Sequence, residues 1–196
     1  MSLFIRKINK AQWLQTDIVR GEDVSADAIT NCMNTKVNAL SVWEVESSTD
    51  IDKAVLAIVA AGGHIETIDV VPMNREYLEE KQVAFEHKDV LNPVGGMIKS
   101  HINLKQLSYK KLGIIAYHIV DKFKQEENKR YTEGKLKEIF RKAIEEKKLN
   151  FDDLSGHIKK KLYAHRVDTP KQRMTLKKLN LRRIWSDLLV FLKIRP

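Results

Sequence analysis

The sequence predicts an α+β fold, with a small N-terminal α/β layer of about three strands followed by a C-terminal helical bundle. Strand-like segments are confined to the first half of the 196 residues, and helical periodicity dominates the second. The charge also divides. Residues 1–100 hold 10 Lys/Arg and 15 Asp/Glu, whereas residues 101–196 hold 25 and 11. At 43% hydrophobic residues the chain has the composition of a folded protein.

The N-terminal layer begins with a short apolar strand over 4–8, which we place at a sheet edge. Ser25 is expected to cap the helix that follows, because its hydroxyl can accept a first-turn N–H. Apolar and polar residues then alternate through Ala39–Val45, and this alternation predicts a second strand.

A helix and a third strand follow directly. Residues 51–61 are too apolar for an exposed helix, and Gly62-Gly63 is expected to end it. Residues 65–71 are rich in β-branched side chains and predict a strand ended by Pro72. The order strand, helix, strand is typical of a βαβ unit or of a split α+β layer.

The first half ends with a helix over 74–82 and a short strand from Val83. Asn92–Gly96 is then the clearest breaker cluster in the chain, and the sign of the charge changes there. We therefore predict three parts: a mixed α/β acidic domain (1–91), a linker (92–104) and a strongly basic helical domain (105–196).

Helices are predicted throughout the second half. Apolar residues recur every three or four positions over 108–127, and Thr132 is expected to cap the helix that follows. A third helix is predicted over 152–165, and Thr169-Pro170 begins a fourth. The short spacing between the second and third helices suits a helix-turn-helix-like unit.

The last 50 residues are the most basic part of the chain, with 14 Lys/Arg and 4 Asp/Glu over 147–196. Neighbouring like charges repel, and a polyanion would relieve that repulsion. The candidate nucleic-acid-binding residues are Lys159, Lys160, Lys161, Lys171, Lys177, Lys178, Arg182 and Arg183.

The charge pattern predicts a non-catalytic regulator or accessory subunit that binds nucleic acid through its basic helical half. The acidic front would contact a protein partner or a second copy of the chain. The alternative is a protein–protein adaptor whose basic half meets an acidic partner. A solvated basic surface without a dedicated ligand would produce the same pattern.

A third hypothesis concerns Asp69, Glu86 and Lys88, an acidic residue followed by a strand with Glu-x-Lys. This arrangement resembles the site of restriction-type nucleases, over about 20 residues. The resemblance implies two carboxylates that hold a divalent metal and a lysine that helps to activate water. The chain departs from the pattern, because Pro72 lies on the wrong side and a helix intervenes.

We expect no catalysis, no metal and no cofactor. The six histidines lack an HExxH spacing, and the glycines form no phosphate-binding loop. Cys32 is the single cysteine, which favours a reducing, cytoplasmic location. We predict no membrane span and no signal peptide, since the apolar runs are too short for either.

Overall fold

The computed structural model describes residues 2–13, 24–33, 35, 37–94 and 97–163. Within them, six strands form one antiparallel sheet with helices interleaved between strands. The strands are β1 (Leu3–Ile8), β2 (Ala39–Val45), β3 (Ile68–Asn74), β4 (Ala84–His87), β5 (His101–Lys105) and β6 (Lys129–Tyr131). The helices are α1 (Lys10–Trp13), α2 (Ala26–Cys32), α3 (Ile51–Gly62), α4 (Arg75–Glu80), α5 (Tyr109–Lys124), α6 (Glu133–Glu145) and α7 (Gly156–Tyr163).

The predicted fold class, a three-strand layer followed by a helical bundle, is wrong. The sheet has the order β4-β5-β2-β1-β3-β6, so two strands from the second half of the chain belong to it. The helices α5, α6 and α7 pack against this sheet and its helices, and no separate bundle follows within the described ranges. The prediction failed because β5 and β6 are short, with five and three residues.

The first strand lies in the middle of the sheet, although the sequence suggested an edge. Ile5 on β1 pairs with Trp43 on β2 and with Pro72 on β3, antiparallel to both. The two strands that flank α3 in the chain are therefore separated by β1. The sequence favoured either a βαβ unit or a split α+β layer for this segment, and the structure has the split layer.

Helices cover both faces of the sheet. One apolar cluster joins α3, α6 and α7 to the sheet and includes Phe140, and the other joins α2, α4 and α5 and includes Leu104. Val70 and Val71 are adjacent in β3, belong to different clusters, and are both fully buried. Burial on both faces explains why this strand is apolar at nearly every position.

The third strand continues through Pro72, which the sequence predicted as its end. Proline lacks an N–H, so it is tolerated where no neighbouring strand needs that donor. β6 pairs only with the first part of β3, from Ile68 to Val70. Beyond Val70 that side of β3 has no strand partner among the described residues, and the missing donor costs no ladder hydrogen bond.

The predicted helix ends are confirmed at three positions. The Ser25 side chain accepts the Ala28 N–H, and the Thr132 side chain accepts the Lys135 N–H. Gly63 ends α3 in the left-handed region, with φ of 72°, where glycine avoids the strain that a Cβ would cause.

Tyr131 ties β6 to α3. Its hydroxyl donates to Asp52 Oδ1 over 2.7 Å, and burial followed by this hydrogen bond raises the pKa of the hydroxyl. We expect Tyr131→Phe to lower the free energy of unfolding by about 1–2 kcal/mol, because the bond is to a charged acceptor. Urea denaturation measures this loss. The control is Tyr109→Phe, since Tyr109 is 96% exposed, and an equal loss in both variants would contradict the prediction.

Candidate nucleic-acid interface

The helix α7 carries the three candidate lysines that fall in the described part of the chain. Ile158 and Leu162 are buried and fix one face of this helix against the apolar core. At its start, Ser155 donates its hydroxyl to Gly63 O over 2.6 Å and accepts the Ile158 N–H. The helix is therefore attached to the end of α3, and its orientation fixes the face on which each lysine lies.

Two of these lysines contact the protein itself. Lys161 Nζ lies 2.8 Å from Glu133 Oε2 at the start of α6. Lys159 Nζ donates to Asp152 O over 2.8 Å and stands 5.6 Å from the centroid of the Phe151 ring. These contacts satisfy one donor of each ammonium group, which leaves them less free to meet a ligand.

Glu133 joins α6 and α7 electrostatically. Its carboxylate accepts from Lys137 at 2.7 Å and from Lys161 at 2.8 Å. These two hydrogen bonds lower the pKa of Glu133 to about 2. The carboxylate stays ionised at neutral pH, and it is shared between two cations. This corner of the surface therefore keeps a net positive charge.

Lys160 differs from its two neighbours because it points to solvent. Its residue is exposed, as are His157 and Tyr163, and spacings of three place these side chains on one outer face. No described carboxylate lies within ion-pair distance of Lys160. Tyr163 is 49% exposed and packs edge-on against Phe151, with ring centroids 5.0 Å apart. Within the described part of the chain, this outer face of α7 thus offers an unpaired cation and an exposed aromatic ring.

A further group of exposed lysines lies at the end of α6 and directly after it. Lys142 and Lys148 share one carboxylate, with Nζ 3.9 Å from Glu146 Oε1 and 2.6 Å from Glu146 Oε2 respectively. Among the described carboxylates only Glu146 pairs with these two lysines, so one positive charge is in excess. Lys147, between them in the chain, is also exposed.

The other five candidates lie outside the described residues: Lys171, Lys177, Lys178, Arg182 and Arg183. They belong to the stretch 164–196, which directly follows α7 in the chain. This stretch holds nine Lys/Arg and two Asp/Glu, or seven of the nine net positive charges of the protein.

The residues of the nuclease hypothesis do not come together. Asp69 lies on β3 and Glu86 on β4, with three strands between them. Because neighbouring strands are about 4.8 Å apart, the two backbone positions are separated by about 19 Å. Glu86 instead pairs with Lys105, and Asp69 lies 3.9 Å from Arg130. Lys88 directly follows β4, so it lies at the same edge of the sheet as Glu86.

Within the described residues, no group of three His, Cys, Asp or Glu side chains is placed to hold a metal ion. A search of the same residues also finds no helix with the length and apolar character needed to cross a membrane.

A cavity beside the sheet, to which Arg6 and His101 contribute, was not predicted from the sequence. A signal was present at Arg6, which with Lys7 is one of two charged residues in the mainly apolar segment Leu3–Ile8. The sequence did not reveal that Arg6 lines a cavity, since the cavity depends on where β1 and β2 separate.

The fold and the exposed lysines define an α+β protein with an antiparallel sheet between helices and a basic outer surface. No match was found when the chain was compared with protein-family models, with curated proteins and with solved structures.

Proposed function

We propose that the protein binds nucleic acid through the sugar–phosphate backbone, as a non-catalytic regulator or accessory subunit. The observation that carries this proposal is the position of Lys160 on a helix anchored to the core, where it is exposed and has no carboxylate partner among the described residues. The basic stretch 164–196 follows that helix directly. Candidate residues for the contact are Lys160, Lys171, Lys177, Lys178, Arg182 and Arg183.

Attraction to phosphate is the physical basis of the proposal. Each lysine or arginine placed on a phosphate releases condensed counterions, so affinity rises as salt falls. Contacts of this kind fix position on a nucleic acid and carry little sequence information. The anchoring of α7 supports a defined surface, because Ser155, Ile158 and Leu162 hold the helix in one orientation.

Charge reversal tests this surface. We expect Lys160→Glu combined with Lys178→Glu to weaken binding at least tenfold, because each lysine lost from a phosphate removes a favourable contact. The loss should be similar for different sequences, and the slope of log K against log salt should fall by about two. Fluorescence anisotropy on duplex DNA and duplex RNA, at about 50 and 200 mM salt, measures both quantities.

The matched control reverses two lysines in the acidic half, Lys7 and Lys53, whose side chains are 47% and 58% exposed. Equal weakening by Lys7→Glu with Lys53→Glu would reject the proposed surface in favour of general charge attraction. Polyglutamate provides a second comparison. If it displaces DNA as well as unlabelled DNA does, the adaptor with an acidic protein partner is the better function.

The acidic first half is proposed to contact a protein partner or a second copy of the chain, since residues 1–100 carry a net charge of −5. Sedimentation at rising protein concentration tests the second copy, and a monomer throughout would reject it. A cytoplasmic location is proposed from the single cysteine, Cys32, which is buried and free.

A further inference from the structure

A cavity of about 390 Å³ lies beside the sheet where β1 and β2 separate. The two strands pair only as far as Ile5 and Trp43, whereas β1 continues along β3 to Ile8. The strand β5 and the residues after β4 complete the wall. A volume of this size is within the range of cavities that hold small organic molecules.

Arg6 occupies the gap between the two strands. Its Nε and Nη2 donate to Cys32 O over 3.1 and 2.7 Å, and its Nη1 donates to Ser41 O over 2.6 Å. These contacts hold the guanidinium in place, yet both acceptors are neutral carbonyl oxygens. No carboxylate of the described residues pairs with Arg6, and two of its five N–H groups are unused by these contacts.

A partly buried cation without a counter-charge is unfavourable, because burial removes its hydration. Burial lowers the pKa of Arg6 accordingly. Arginine nevertheless stays protonated in proteins. The cavity wall therefore contains a fixed positive charge that no described carboxylate compensates.

His101 is a second unsatisfied group in the wall. It is 8% exposed, and its Nδ1 has no hydrogen-bond partner among the described residues. The ring is held edge-on against Trp43, its cross-strand neighbour, with centroids 5.1 Å apart. Buried polar atoms without partners are rare in folded proteins, and a bound water or ion is one explanation for them.

The rest of the wall supplies donors and apolar surface. Ser41 donates to Asn103 Oδ1 over 3.2 Å, which leaves the Asn103 amide group as a donor. Lys88 is exposed at the rim and adds a second fixed positive charge. Val37 and Val90 give the cavity an apolar part, and no carboxylate belongs to the described lining.

We infer that this cavity binds a small organic anion, whose phosphate or carboxylate group is held by Arg6 and Lys88 and whose apolar body lies against Val37 and Val90. The two remaining N–H groups of Arg6 suit a planar or tetrahedral oxyanion. His101 and Asn103 would donate or accept at the same group. The inference does not rest on nucleic-acid binding, since none of the α7 residues belongs to the cavity.

Three probes separate the possible chemistries: phenyl phosphate, benzoate and the neutral benzyl alcohol. We expect at least one of the two anions to bind with a Kd of about 1 mM or tighter, measured by calorimetric titration and by a rise in Tm. Benzyl alcohol should bind at least tenfold more weakly. Tighter binding of phenyl phosphate identifies a phosphate ligand, and tighter binding of benzoate identifies a carboxylate.

Lys88→Gln tests the wall with little risk to folding, because the side chain is exposed. We expect it to weaken the preferred anion five- to tenfold. The control is Lys105→Gln, which removes a lysine of β5 that pairs with Glu86 and lies outside the described lining. Equal losses in the two variants, or no binding of either anion at about 10 mM, would overturn the inference.

Arg6→Lys tests the fork itself, since it keeps the charge and removes the paired donors. A loss of tenfold or more is expected. If this variant fails to fold, NMR of the unchanged protein replaces it. The anion should then shift the His101 ring signals and leave those of His118, on the other face of the sheet, in place. The reverse pattern would reject the cavity. The double variant of Lys160 and Lys178 should bind the anion normally, whether or not it binds nucleic acid.

Discussion

Replacing Leu104 by alanine is expected to lower the free energy of unfolding by about 2–5 kcal/mol. Leu104 is completely buried on β5, where it pairs with Leu40 on β2 and with Phe85 on β4. Removal of its side chain would leave a cavity in the apolar cluster that joins this face of the sheet to α2, α4 and α5. The sequence placed this residue in a linker, where the same change would cost less than about 0.5 kcal/mol.

Urea denaturation of the purified variant measures the loss, with the unfolding slope m as a check that the transition stays cooperative. The matched control is Leu91→Ala, which makes the same chemical change 13 residues earlier at a side chain that is 98% exposed. Losses that agree within about 0.5 kcal/mol would place β5 outside the folded sheet and contradict the structure.

The elements that the sequence revealed are those whose signal is local. The apolar helix α3 and the stripes of α5 and α6 extend over 12 or more residues, so their periodicity is readable without knowing their partners. β5 has only five residues, and three of them are polar: His101, Asn103 and Lys105. It is a strand because β2, some 60 residues earlier in the chain, pairs with it.

The same division applies to the candidate sites. The spacing of the lysines along α7 was readable, because a helix fixes the angle between successive side chains. The pairing of Lys161 with Glu133 could not be predicted in this way, since the two residues lie on different helices and are 28 positions apart in the chain. The separation of Asp69 from Glu86 is likewise decided by strand order, which their spacing of 17 positions in sequence does not reveal. Strand order also brings Arg6 on β1 and His101 on β5 to one cavity, although the two residues are far apart in the chain.

Acid should destabilise the protein through His118, a residue of α5 that is 4% exposed. Its Nε2 accepts the Asn74 N–H over 3.0 Å, and its ring stacks on Tyr77 with centroids 4.3 Å apart. Accepting that N–H requires an unprotonated nitrogen. Burial, followed by the charge of Lys122, lowers the pKa of His118 to about 4, although Asp121 and Glu127 act in the opposite direction.

The direction of the pH effect follows from these two pKa values. In the unfolded chain His118 takes up a proton as the pH falls through 6.5, whereas in the folded protein it stays neutral until about pH 4. The unfolded state binds more protons in this interval, so stability is full above pH 6.5 and falls with decreasing pH. Between pH 7 and pH 5 we expect a loss of about 2 kcal/mol from this residue.

His118→Gln isolates the effect, because the glutamine oxygen can accept the Asn74 N–H but does not titrate. The variant should be less stable than the original protein at pH 7, since the stacking on Tyr77 is lost. Its stability should nevertheless change by about 2 kcal/mol less between pH 7 and pH 5, in urea denaturation at both pH values.

The pKa of buried His101 is also lowered, but that residue is present in both proteins and its contribution cancels. Glu44 and Glu133, whose pKa values are lowered, stay ionised throughout this interval. Parallel pH dependence in the two proteins would show that His118 takes up its proton equally in the folded and unfolded states, against the buried, hydrogen-bonded position that the structure gives it.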